Sequence, residues 1–305
     1  MRTPALILLT FCTLLWMGCT NEAKKTTTTG GKLYIVTTTG MLADAVQHVA
    51  GEYATVEALM GPGVDPHLYK ATGSDLSKLN KADLIFYNGL HLEGKMTEVM
   101  AKLGQKKPVI ALGNKLPPER LINHGAAHDP HIWFDVSLWA EILPLITDEL
   151  ITFDGAHGQV YAENSIKYQK ELLELDAWVK EQLNNIPPNQ RILVTAHDAF
   201  EYFGKAYDME VRGLQGISTV SEYGLKDVTD VVDMLVSRKI NAVFVESSVS
   251  DKALKAVVQG TADQGHTVKI GGTLFSDAMG AADKPEGTYV GMVKYNVTTI
   301  VEALK

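Results

Sequence analysis

Cysteine is nearly absent from this chain of 305 residues: there are two, Cys12 and Cys19. Nothing beyond residue 19 can form a disulfide, a thiolate zinc site or a cysteine nucleophile. The apolar run from Ala5 to Met17 is about thirteen residues, short of the roughly twenty that span a bilayer comfortably. There is no dense basic stripe, and the net charge is −8, which argues against nucleic acid as the main partner. No Gly-X-Y repeat supports a collagen-like chain, and no His-Glu-x-x-His marks a zinc protease. What remains is ordinary for a folded protein, with 46% hydrophobic and 21% charged residues. A chain of this length buries roughly three quarters of its unfolded surface, so it needs no covalent staples.

The N-terminus reads as a processed segment. Arg2 supplies the positive end, Ala5 to Met17 the apolar stretch, and Gly18-Cys19 the end of a signal spanning 1–19. A small residue before Cys at that place resembles the lipobox of bacterial lipoproteins, although Trp16 stands where such signals usually carry Leu. The resemblance implies that Cys19 is lipidated and anchors the mature chain. Residues 20–31 hold Lys24, Lys25, five threonines and two glycines with no apolar period. They read as a flexible tether of about 20 Å reach.

The rest alternates between short apolar runs and amphipathic stretches. Leu33–Thr38, Ala54–Met60, Asp83–Asn88 and Pro108–Leu112 read as strands, with helices over Met41–Ala50, Ser74–Asn80 and Lys95–Leu103. Arg191–Ala196, Asn241–Glu246 and Thr267–Gly272 continue the pattern, with helices over Phe200–Tyr207, Leu225–Arg238 and Asp251–Gln264. This alternation predicts two α/β lobes with parallel sheets. Between them, Tyr161, Tyr168, Leu172, Leu175, Val179 and Leu183 recur at helical spacing until Pro187-Pro188. The expected organisation is a first lobe over 32–155, a long, stiff linking helix over 156–186 and a second lobe over 187–305.

Asp-Pro-His occurs twice, as Asp65-Pro66-His67 and Asp129-Pro130-His131. Proline stiffens such a turn and presents the next side chain at a fixed place. Asp65 and Asp129, two residues upstream, could orient each imidazole or satisfy nearby backbone donors. A third histidine, His197, directly follows the strand Arg191–Ala196, and Asp277 lies just beyond the strand Thr267–Gly272. All four residues fall at or beyond the C-terminal ends of strands, the edge where open α/β sheets bind ligands. Two come from each half, so they could converge between lobes, and three imidazoles with a carboxylate suit a divalent transition metal. Glu246 ends a strand on the same edge and could hold an imidazole; His91 could line the site. His124 and His128 could form weak extra metal positions on a loop.

In their order and number, several segments resemble the cluster A-I solute-binding lipoproteins of metal-importing ABC transporters, in particular the TroA-like zinc- and manganese-binding branch. They are Gly63–Tyr69, Asn88–Met96, Asp129–Asp135, Thr195–Phe203, Gly213–Ser221, Val245–Ser248 and Gly271–Gly280. The resemblance spans the chain from about residue 32 to the C-terminus. It implies two lobes joined by one long backbone helix, with a metal ion between them held by His67, His131, His197 and Asp277. It further implies an ABC permease as partner, a monomer, and a place outside the cytoplasmic membrane, in a periplasm or on the cell surface. Members with Glu at the third ligand position look manganese-directed; here that position is His197. Dedicated zinc members often carry a long His-rich loop before the second Asp-Pro-His, and here that segment holds only His124 and His128. Zinc is the expected cargo, manganese the alternative. The rival readings are a secreted zinc-dependent hydrolase and a surface adhesin with a structural metal.

Overall fold

Two four-stranded parallel sheets organise the computed structural model, which describes residues 31–125 and 127–305. The signal and tether expected over 1–31, with Cys19, lie outside the described residues except for Gly31.

The first sheet contains β1 (Leu33–Thr37), β2 (Ala54–Ala58), β3 (Leu84–Tyr87) and β4 (Val109–Ala111), in the order β2-β1-β3-β4. Helices α1 (Gly40–Ala50), α2 (Gly73–Lys81) and α3 (Thr97–Gly104) provide its crossovers. β1 and β3 lie inside the sheet, covered on both faces, which is why Leu-Tyr-Ile-Val and Leu-Ile-Phe read as nearly unbroken apolar runs. A short antiparallel pair, β5 (Asn123–His124) and β6 (Ala127–His128), precedes the helices α4 (Val136–Ala140) and α5 (Ile142–Phe153).

The second sheet repeats the plan. Its strands are β7 (Ile192–His197), β8 (Glu210–Gln215), β9 (Ala242–Glu246) and β10 (Lys269–Leu274), in the order β8-β7-β9-β10. Helices α7 (Glu201–Tyr207), α8 (Leu225–Arg238) and α9 (Lys252–Asp263) connect them. Each sheet therefore reverses its winding between its first and third strands, at β1/β3 and at β7/β9. A crevice opens beyond the carboxyl ends of the strands at such a switch point.

Between the sheets runs α6 (Gly158–Leu183), 26 residues and about 39 Å long at 1.5 Å per residue. Its buried face is Tyr161, Ser165, Tyr168, Leu172, Leu175, Asp176, Val179 and Leu183, mostly at steps of three and four residues. The helix packs on α1, α4 and α5 from the first half and on α7 and α10 (Tyr289–Leu304) from the second. One hydrophobic cluster accordingly runs from Ile35 and Phe86, through Leu172 and Val179, to Leu193, Phe244 and Leu274. The Tyr289 hydroxyl donates to the Trp133 carbonyl at 2.7 Å and Tyr168 donates to Asp44 at 2.5 Å, pinning this core with buried polar contacts. The linker is thus part of the core of both sheets, which makes large hinge motion between them costly. Among the described residues no helix is long and apolar enough to cross a membrane.

Candidate metal centre

The two sheets face each other with their carboxyl ends, and four buried side chains meet there. His67 sits in the turn after β2, His131 in the loop after β6, His197 on the last residue of β7, and Asp277 three residues beyond β10. Each is at most 3% exposed. One donor atom from each lies within 4.8 Å of every other.

The spacing fits one small ion. His67 Nε2 is 3.3 Å from His131 Nε2. The Asp277 oxygens stand 3.7 Å from His67 Nε2, 3.4 Å from His131 Nε2 and 3.3 Å from His197 Nε2. Ligands about 2.0–2.1 Å from one ion at tetrahedral angles are about 3.3–3.4 Å apart, so these are close to the edges of such a tetrahedron. His197 Nε2 and both Asp277 oxygens are buried without a hydrogen-bond partner. Buried polar atoms are rarely left so, and a bound cation would satisfy all three.

Carboxylates behind the cluster fix its tautomers. Glu246, at the end of β9, accepts from the His197 backbone N–H at 2.8 Å and from its Nδ1 at 2.5 Å. Asp129 does the same for His131, at 2.9 Å from the backbone N–H and 2.7 Å from Nδ1. In both rings Nδ1–H is committed to a carboxylate, leaving Nε2 toward the centre. Asp65 accepts from the His67 N–H at 2.8 Å and, with its other oxygen, from the Thr219 hydroxyl at 2.6 Å. The first Asp-Pro-His turn is thereby tied to the second half of the molecule. Gly213 lets β8 approach β7 at this level: a Cβ there would stand 2.4 Å from the Asp198 nitrogen.

The charges are strongly coupled. Burial pushes the His67 imidazole down to about 4, only partly offset by Asp277. Burial alone would also lower His131, but Asp129 and Asp277 outweigh it and push the ring up to about 9. His197 likewise rises well above the usual range, because Glu246 and Asp277 overcome its burial. Asp277 stays ionised: burial opposes its charge, and the neighbouring imidazoles more than compensate.

His91 is not brought to this cluster. It is exposed, in a left-handed run with Gly89 and Leu90, and lines a separate cavity of about 350 Å³ with His128 and Asn114. The structure adds Glu93, a residue of the Asn88–Met96 segment that sequence reasoning does not single out. This buried carboxylate accepts from the Thr38 hydroxyl at 2.6 Å and from the Asn88 and Gly89 N–H groups. It braces the β1/β3 switch point as Glu246 braces β7/β9. Its only signal in the sequence is an acid set shortly after a strand.

The profile of the ZnuA family, described as zinc-uptake complex component A, periplasmic, matches residues 35–303. This chain belongs to the ZnuA family. It is 45% identical over 308 residues to the manganese-binding lipoprotein MntA of Bacillus subtilis, covering all of both chains. It is 47% identical over 275 residues to the zinc-binding protein TroA of Treponema pallidum, covering 90% of this chain and 89% of TroA. The solved structure of that periplasmic zinc-binding TroA superimposes with a TM-score of 0.87, covering 90% of this chain and 99% of the other. The two α/β lobes and the long helix are those of the family.

Proposed function

We propose that this ZnuA-family protein is an extracytoplasmic solute-binding lipoprotein that captures one divalent transition-metal ion and passes it to an ABC-type import permease. One observation carries the reading: four buried donors, from both halves of the chain, face a common point with unsatisfied atoms. In it His67, His131, His197 and Asp277 are the ligands. Glu246 and Asp129 orient the rings, and Asp65 holds the His67 turn. Cys19 carries the lipid that keeps the protein at the membrane.

Zinc is the favoured cargo, since three imidazole nitrogens at near-tetrahedral spacing suit it. Manganese is the second reading, because the MntA relative named for manganese matches over its whole length. Capture rather than hydrolysis follows from the donor count. Four protein ligands leave little room for the activated water of a catalytic zinc site. The shared core along α6 limits the response to a small tilt or loop movement, which a permease could read.

The deciding experiment strips the protein of metal and titrates it with zinc and manganese, separately and in competition. We expect one tightly held zinc that manganese does not displace. Manganese retained against zinc would reassign the cargo; no stoichiometric ion of either kind would end the transport reading. Replacing Glu246 with Gln keeps the side chain's size and removes its charge. Affinity should fall about 10–100-fold with His197 still in place. Chelator competition measures this, and an unchanged constant would reduce Glu246 to a packing role.

A further inference from the structure

We propose that His124, Asp129 and Glu201 form a second, weaker divalent-cation site on the solvent side of the central cluster. His124 is on β5 of the first half, and Glu201 opens α7 in the second. Asp129 lies between them in the loop after β6. One donor atom from each of the three falls within 4.8 Å of the others. His124 Nε2 stands 2.5 Å from a Glu201 oxygen.

The Asp129 side chain points to a ligand beyond this ion pair. It is fully buried, and its two oxygens are used unequally. Oδ1 accepts both His131 contacts, from the backbone N–H and from Nδ1. Oδ2 is buried with no partner. A carboxylate oxygen in that position calls for a donor or a cation. The surroundings are also rich in negative charge. A third acid, Asp198, stands close enough to feel the charges of both Glu201 and Asp129. The His124 imidazole faces these acids, and a divalent ion would neutralise more of that charge than one proton does.

The donor chemistry sets the class of ion. One imidazole and two carboxylates suit zinc or manganese, and three protein ligands leave the remaining positions to water. The His124 side chain is 37% exposed, so such an ion exchanges more readily than one enclosed by the central four residues. Asp129 links the two positions, since its Oδ1 orients His131. The outer site is thus a place where an arriving ion rests one carboxylate away from the central cluster.

The test counts ions on untagged, metal-stripped protein dialysed against zinc alone and against manganese alone, read by mass spectrometry. Two ions per chain are expected at saturation, the second at least tenfold weaker and faster to leave to a chelator. His124→Ala and Glu201→Gln should each remove the second ion and retain the first. His67→Ala should do the reverse, which separates this proposal from the reading of the central cluster. Circular dichroism melts confirm that each variant is folded. A single ion at saturation, or a second ion bound equally well by both rim variants, would overturn the proposal and leave a surface ion pair only.

Discussion

Replacing Asp277 with Asn should weaken metal binding by more than about 100-fold, beyond the range typical of losing an outer partner of a ligand. Asp277 is the one carboxylate among the four central donors, and both of its oxygens lack hydrogen-bond partners. Asn has the same shape, but it offers a neutral carbonyl and turns an NH₂ group toward the imidazoles or the ion. The Nε2 atoms 3.3–3.7 Å away would then share the site with a donor where an anion is needed. The loss should also appear in stability. A ligand that binds only the folded state stabilises it in proportion to the logarithm of its affinity, about 2.7 kcal/mol per hundredfold. At a fixed excess of zinc, the Asn variant should lose at least that much metal-dependent stabilisation. Its metal-free melting should fall too, because His131 and His197 lose a buried counter-charge, so the readout is the zinc-induced shift within each variant. Calorimetric titration and paired melts with and without zinc make the measurement. A variant that binds zinc as the parent does would remove Asp277 from the ligand set.

Much of this site is legible in the sequence, because the folding rules and the chemistry use the same residues. A buried parallel strand needs a run such as Ile192-Leu193-Val194, and the polar residue that ends it falls at the ligand edge of the sheet. The apolar runs alone therefore mark His197 and Glu246 as strand ends. The two Asp-Pro-His turns are visible because proline fixes where each imidazole points. The pairing of Glu246 with His197 is less visible, since it depends on β7 and β9 being neighbours. Chain order separates them by β8.

Other features depend on packing. β8 carries Glu210, Arg212 and Gln215 on an edge strand, so it lacks the apolar run that marks its interior neighbours. In α10, buried residues recur at helical steps from Tyr289 to Leu304, yet the stretch Asn296-Val297-Thr298-Thr299-Ile300-Val301 is rich in branched side chains that favour strands. Contact with α6 and β10 decides for the helix. That α6 lies in a core common to both sheets is likewise a tertiary fact. Its own residues show an apolar stripe without saying what covers it. His91 illustrates the converse: its place in a family-like segment suggests the site, but the left-handed run Gly89-Leu90-His91 sends it into another cavity.

Acid should release the metal, with a steepness set by the protons that the ion must displace. In the metal-free protein at neutral pH, His131, raised to about 9, and His197, raised well above the ordinary range, both carry a second proton. His67, lowered to about 4, does not. The Nδ1 protons of His131 and His197 stay with Asp129 and Glu246, so the protons expelled are those on Nε2. Binding near pH 7 should therefore release about two protons per ion, and affinity should fall about 100-fold for each unit of acidification. The sign follows from the raised values: the metal-free state holds about two more protons than the metal-bound state, so lowering the pH favours release. The slope should flatten as pH rises through about 9, where His131 loses its proton unaided. It should steepen again only near pH 4, where His67 begins to compete. Titrations in buffers of different ionisation enthalpy count the released protons directly. An affinity constant across pH 5.5–8 would show that the imidazoles are already neutral before the ion arrives, and that Asp129, Glu246 and Asp277 do not hold protons on the cluster.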